Sequence, residues 1–183
     1  MGFSDVSYHS MSEKHTVEVG DFHATFKNVL LPFGLRVHEV TIDAKDASVE
    51  HDPFSISVPV PGEIVVTVTE ENLREFLEAE APGGLSDFEI KLTEGKVFVE
   101  ANAKVIVKVR AKAECSFEIV DGTKLFVRLD DVDVMGVGAH RLVEKQLGKV
   151  NPILDAADLP LAVTLTSVTI AEGVMLLRGT AEM

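Results

Sequence analysis

From Val97 to Ile119 every odd position is apolar: Val97, Val99, Ala101, Ala103, Val105, Val107, Val109, Ala111, Ala113, Cys115, Phe117 and Ile119. The even positions are polar or charged apart from Phe98 and Ile106. A period of two predicts a strand with one buried and one wet face. Drawn straight, such a strand would span roughly 75 Å, whereas a compact domain of this chain length is about 40 Å across. Two readings follow: the segment breaks, near Asn102, or it runs as one long, coiled strand in an elongated molecule.

The rest of the chain alternates in shorter pieces. Thr16 to Val19, a turn at Gly20-Asp21, and then Phe22, Ala24 and Phe26 predict strands. Val37 and Val40 fall out of phase, which predicts a bulge near His38-Glu39. Ile64 to Val68 predicts a strand buried on both faces. It feeds a helix capped by Thr69, with Glu70 and Glu71 in the first turn and Leu73, Phe76 and Leu77 on one stripe; Pro82-Gly83-Gly84 ends it. Tight turns at Glu94-Gly95, Asp121-Gly122 and Glu172-Gly173 join successive strands. Ala139 to Val150 predicts a second helix with Leu142, Val143, Leu147 and Val150 apolar, broken at Asn151-Pro152 before the short apolar turn of Ile153 and Leu154. Strands joined by tight turns, with two helices between the blocks, predict an α+β fold with a mainly antiparallel sheet. Residues 1–14, polar and rich in Ser and His, predict a flexible arm, and residues 15–183 a single domain.

Charge narrows the function. A net charge of −13 argues against general nucleic-acid binding. Between residues 91 and 128, however, eight Lys and Arg outnumber five Asp and Glu, so the long alternating stretch is locally cationic. The lone Cys115 falls on the apolar row and reads as a buried hydrophobe in a protein of a reducing compartment. The N-terminus has no cationic start followed by an apolar core, and Val6 stands where a myristoylation pattern wants Ser or Thr. A cytoplasmic location is the expectation, with the cell envelope the alternative if a leader has been removed. The six histidines form no ligand spacing, Asp130, Asp131 and Asp133 fit no calcium loop, and no phosphate loop, nucleophile elbow or Cys-His pair is present. A protein without enzymatic activity, metal or cofactor is expected.

The block Val65-Val66-Thr67-Val68-Thr69-Glu70-Glu71-Asn72-Leu73-Arg74-Glu75-Phe76-Leu77 resembles the passage from strand into Thr-Glu-x-x-Leu-x-x-x-Leu found in the LmeA-like phospholipid-binding family of bacterial proteins. The downstream layout is similar too, from Glu94-Gly95-Lys96 and Asp121-Gly122 through Asn151-Pro152-Ile153-Leu154-Asp155 and Leu159-Pro160 to the closing Glu172-Gly173-Val174-Met175-Leu176-Leu177-Arg178-Gly179. The resemblance runs from about Leu35 to Ala181. It implies a tubular (TULIP-like) lipid-binding roll: a long, strongly curved antiparallel sheet wrapped around helices and leaving an apolar channel. It implies no catalytic residues. The envelope members carry an export signal, from which this chain departs.

On that reading a phospholipid or fatty-acyl ligand lies against Leu73, Phe76, Leu77, Ala101, Ala103, Val105, Val107, Val109, Ala111, Ala113, Phe117, Leu142, Leu147, Ile153 and Leu154. The small side chains of the row leave room for an acyl chain, or equally for a closely packed helix. Lys104, Lys108, Arg110 and Lys112 are candidates for contact with head groups or a membrane surface, or for a solvated face guarding a sheet edge. The competing function is a structural or protein-interaction module, a homodimer through sheet edges, with no ligand.

Overall fold

The computed structural model describes residues 16–51, 54–80, 85–104, 108–134, 147–148, 151–159 and 161–182. Two antiparallel sheets and one helix account for them. The first sheet takes both ends of the chain: β1 (Thr16–Leu30), β2 (Arg36–His51), β4 (Gly62–Thr69), β11 (Val174–Glu182) and β10 (Ala162–Ala171) lie in that order, with β3 (Phe54–Ser57) beside β2. The second is built from the middle, β5 (Leu85–Thr93), β6 (Lys96–Lys104), β7 (Lys108–Val120), β8 (Lys124–Val134) and the short β9 (Leu154–Asp155), in chain order. The helix α1 (Glu70–Glu80) joins the two. The architecture is mostly antiparallel sheet, curled into a half-barrel.

The long alternating stretch is a hairpin, not one strand. β6 and β7 pair antiparallel with Val97 opposite Cys115, Val99 opposite Ala113, Ala101 opposite Ala111 and Lys104 opposite Lys108. The two strands end opposite each other at Lys104 and Lys108, so the pairing continues past Asn102. Because odd residues face odd residues in this register, the apolar row passes through the reversal without changing phase. Apolar Val105-Ile106-Val107, free of Gly and Pro, gave no turn signal.

Other expectations are corrected as well. Gly20-Asp21 makes no turn. β1 runs straight through, and its register against β2 shifts on both sides of Gly20. No shift occurs at His38-Glu39, since Val29 faces Val37 and Lys27 faces Glu39 in one unbroken register; the irregular backbone there is Asn28 of the partner strand, at φ 53. The expected single sheet is two, because β11 returns to pair with β4, Val174 opposite Thr69 through Ala181 opposite Gly62, and takes the closing hairpin away from β8. Among the described residues there is one helix and a short 3-10 turn at Ala156–Asp158. Of the second helix only Leu147 and Gly148 are described, both helical. The N-terminal arm lies outside the described residues.

α1 is closed by a reciprocal cap. Thr69 Oγ1 accepts from the Asn72 backbone N–H at 3.3 Å, and the Asn72 side-chain carbonyl accepts from the Thr69 N–H at 3.1 Å and from its hydroxyl at 2.9 Å. This satisfies the side-chain oxygen of Asn72 in a buried position. The sheets meet turn to strand: Gly95 N–H donates to Ile170 O (3.1 Å), Gly173 N–H to Leu92 O (3.1 Å) and Leu165 N–H to Gly122 O (2.6 Å). Behind these contacts lies the core, with Val37 and Leu92 at 0% exposure and Val68, Leu125 and Met175 at 1%.

Candidate functional site

Two apolar clefts open beside that core. One lies between α1 and the second sheet and encloses about 140 Å³; it is lined by Leu73, Phe76 and Leu77 of the helix, Leu85, Phe88 and Ile90 of β5, Val97 and Val99 of β6, Ala113, Cys115 and Phe117 of β7, Val127 and Leu129 of β8, and Leu147 and Ile153. Glu80 is the one charged residue among them. The helix reaches this position because Leu73, Phe76 and Leu77 share one face, and because Glu70 Oε1 accepts from the Leu92 N–H of β5 at 2.8 Å. The second cleft, about 200 Å³, lies on the first sheet, walled by Phe26, Val29, Val40, Ile42, Ile64, Val66, Leu165 and Leu177 and closed by Leu154, Leu159 and Leu161.

β9 separates the two. Asn151 anchors the segment before it by copying a strand neighbour: its side-chain oxygen accepts from Val127 N–H (2.9 Å) and its amide donates to Val127 O (2.8 Å), while Ile153 N–H donates to Leu125 O (2.9 Å). Alternation then turns Ile153 toward the helix cleft and Leu154 toward the other.

Of the residues singled out from the sequence, Leu73, Phe76, Leu77, Ala113, Phe117, Leu147 and Ile153 converge on the helix cleft. Leu154 lines the other. Ala101 and Ala111 are buried opposite each other and line neither. Ala103 and Val109 pair in the ladder but their side chains lie outside the described set, as do Val105, Val107 and Leu142 altogether. Leu85, Phe88, Ile90, Val127 and Leu129 complete the helix cleft without having been singled out; their own alternation in β5 and β8 carried the signal. Val97, Val99 and Cys115 stood on the apolar row itself. Of the cleft on the first sheet Leu154 alone had been singled out, because its walls come from strands far apart in sequence.

Cys115 is buried, and burial first, then the nearby Asp130 and Glu114 carboxylates, push its thiol up to about 12. It is a cleft wall with no nucleophilic character.

The opposite face of the second sheet is charged and internally paired. Arg110 binds Glu89 at 2.6 Å and Glu100 at 2.7 Å, and Lys112 binds Glu100 at 2.6 Å. The guanidinium thereby joins two glutamates that stand directly opposite each other in the β5–β6 ladder. Hydrogen bonds from Lys112 and then Arg110 hold the Glu100 carboxyl below its ordinary range. Of the four cations proposed for head groups, Arg110 and Lys112 are thus engaged, and the side chains of Lys104 and Lys108 lie outside the described set. A wider open groove of about 920 Å³ beside α1 is rimmed by Glu70, Glu71, Arg74, Glu100, Lys112 and Glu114. Arg74 is paired with Glu71 and Glu78, and Lys96 with Glu114, so this is a solvated charged surface.

Among the described residues no group of three or more His, Cys, Asp or Glu is placed to hold a metal ion, and no helix is long and apolar enough to cross a membrane. No curated protein and no solved structure matches the chain. The profile of the LmeA-like phospholipid-binding family does match it, over residues 16–180. With strand, capped helix and closing hairpin all inside that match, the chain belongs to the LmeA-like phospholipid-binding family.

Proposed function

We propose that the protein binds phospholipid by taking an acyl chain into the cleft between α1 and the second sheet, without catalysis. The observation that carries this is the lining: helix stripe, apolar row and β8 face one space that has no buried charge or polar network to fix a polar ligand. Each methylene entering it gains about 0.8 kcal/mol, so affinity comes from chain length and selectivity among acyl chains is loose. At about 140 Å³ the space holds part of one chain; the head group stays in water. Lys104 and Lys108, placed together by the β6–β7 register, are the cations proposed to meet an anionic surface.

Native mass spectrometry followed by organic extraction tests the proposal. A mass increment that extracts as phospholipid is expected, and Ala113→Phe, which puts a ring into the cleft, should remove it while the protein stays folded. Lipid retained by a folded Ala113→Phe variant would move the site elsewhere. A wild-type protein that stays bare after incubation with phospholipid vesicles would overturn the lipid reading itself.

A further inference from the structure

Among the described residues β1 is an edge strand whose one ladder partner is β2. It is long and carries large exposed apolar side chains, Phe26 at 50% and Leu30 at 59% among them. Several other edges take contacts. β10 meets the second sheet at Gly95 and Gly122, β5 receives Glu70 and the Gly173 turn, and the start of β8, Lys124 to Val127, is covered by Asn151 and β9. An apolar edge of this length, unpaired among the described residues, invites another strand.

The order of residues on β1 says which strand fits. Phe22, Ala24 and Phe26 face Ala44, Ile42 and Val40 across the ladder, all three buried, so the phenylalanines stand on the inner face of the sheet. Lys27 stands on the outer face, opposite Glu39, and Asp21 lies beside Phe22 at the register shift; neither makes an ion pair among the described residues. Two positive-φ residues, Gly20 (φ 77) and Asn28 (φ 53), flank these positions. These pairs are symmetric about Ala24. In an antiparallel β1–β1 ladder centred there, Phe22 faces Phe26 of the second copy, Asp21 faces Lys27, and the irregular Gly20 and Asn28 fall together at the ends.

We infer that β1 pairs with β1 of a second copy of this chain about a two-fold axis through Ala24, forming a homodimer in which the two first sheets become one. The apolar cleft walled by Phe26 and Val29 lies at this edge, so the second copy extends its wall. The inference does not depend on lipid being the ligand. The shared ladder is short, placing the interface at the small end of specific contacts, below about 1,200 Å² in total, and the dimer in the weak, reversible class.

Sedimentation velocity on the full chain over a concentration series should show the 19.8 kDa monomer converting to a dimer. Asp21→Lys should weaken the dimer about tenfold, since two attractive cross-strand pairs become repulsive, and adding Lys27→Asp should restore it. Under mild oxidant Ala24→Cys should cross-link, because facing residues of an antiparallel pair lie within disulfide reach. Thr25→Cys, offset from its own copy, should not. A protein that stays monomeric at every concentration overturns the dimer; a dimer indifferent to Asp21→Lys, or cross-linking equally well through Thr25→Cys, overturns this interface.

Discussion

Gly179 has no turn to make. It sits in mid-strand on β11, and a Cβ there would lie 2.6 Å from the Thr164 carbonyl oxygen and 3.3 Å from Val163 Cγ1. The crowding arises in β10, whose register slips between Leu165 and Ser167 and drives the backbone toward its neighbour. Gly179→Ala should therefore cost about 1 to 3 kcal/mol, the range for overpacking, read as a lowered urea midpoint at unchanged m-value. An unchanged midpoint would mean that β10 relaxes away from the new methyl. Nothing in the sequence announces this glycine, because the atom it avoids belongs to a residue on another strand. Thr69 is the opposite case: hydroxyl, acidic first turn and apolar stripe all lie in one continuous stretch of chain, Thr69 to Leu77, and the cap could be read directly. Its reciprocal partner Asn72 was hidden, since an asparagine at that position also suits an exposed helix surface.

At the scale of elements, period two located the buried face of β6 and β7 but could not count the strands. Val97 through Phe117 hold one phase whether the chain runs on or folds back, as long as the reversal pairs odd with odd residues. The strand length set against the molecule's diameter was the only sequence-level sign of a break. The even face of the same hairpin yields a prediction about acid. Glu100 is held ionised by Lys112 and Arg110, so its folded-state pKa lies below the ordinary value of 4.5. Its contribution to stability is fully present above the unfolded value and is lost as pH falls through the lower folded one. Glu100→Gln should be less stable than wild type at neutral pH, and the two should converge as pH drops below about 4.5, measured as melting temperature against pH. High salt should also narrow the neutral-pH gap, because the ladder is solvent-exposed. A constant gap across the acid range would show that Glu100 acts through packing and not through charge.

The whole molecule is where local pattern gave out. An antiparallel α+β fold followed from tight turns, yet the division into two sheets depends on β11 choosing β4, a pairing between distant segments that no periodicity records. The clefts inherit that division, one on each sheet, with Ile153 and Leu154 on opposite sides of β9. Cys115 offers a way to tell which of them lipid fills. As the chain's single thiol and a wall of the helix cleft, it should label slowly with maleimide in the folded protein, because the thiolate is the nucleophile and burial pushes its pKa up to about 12. Labelling should then proceed through opening of the fold, and its rate should level off above pH of about 8.5, where the freed thiol ionises; a rate that keeps climbing in a folded protein would mean direct attack in the cleft. A lipid that binds only the folded state stabilises it by about 2.7 kcal/mol at one hundred times its dissociation constant, which is about a hundredfold slower labelling. If phospholipid sits against α1 and the second sheet, labelling slows by that factor, and Ala113→Phe labels at the same rate with or without lipid. If lipid slows labelling equally in both proteins, its site lies outside the helix cleft, and the space on the first sheet is the next candidate. If it binds measurably and slows neither, it occupies a surface that the opening of Cys115 leaves untouched.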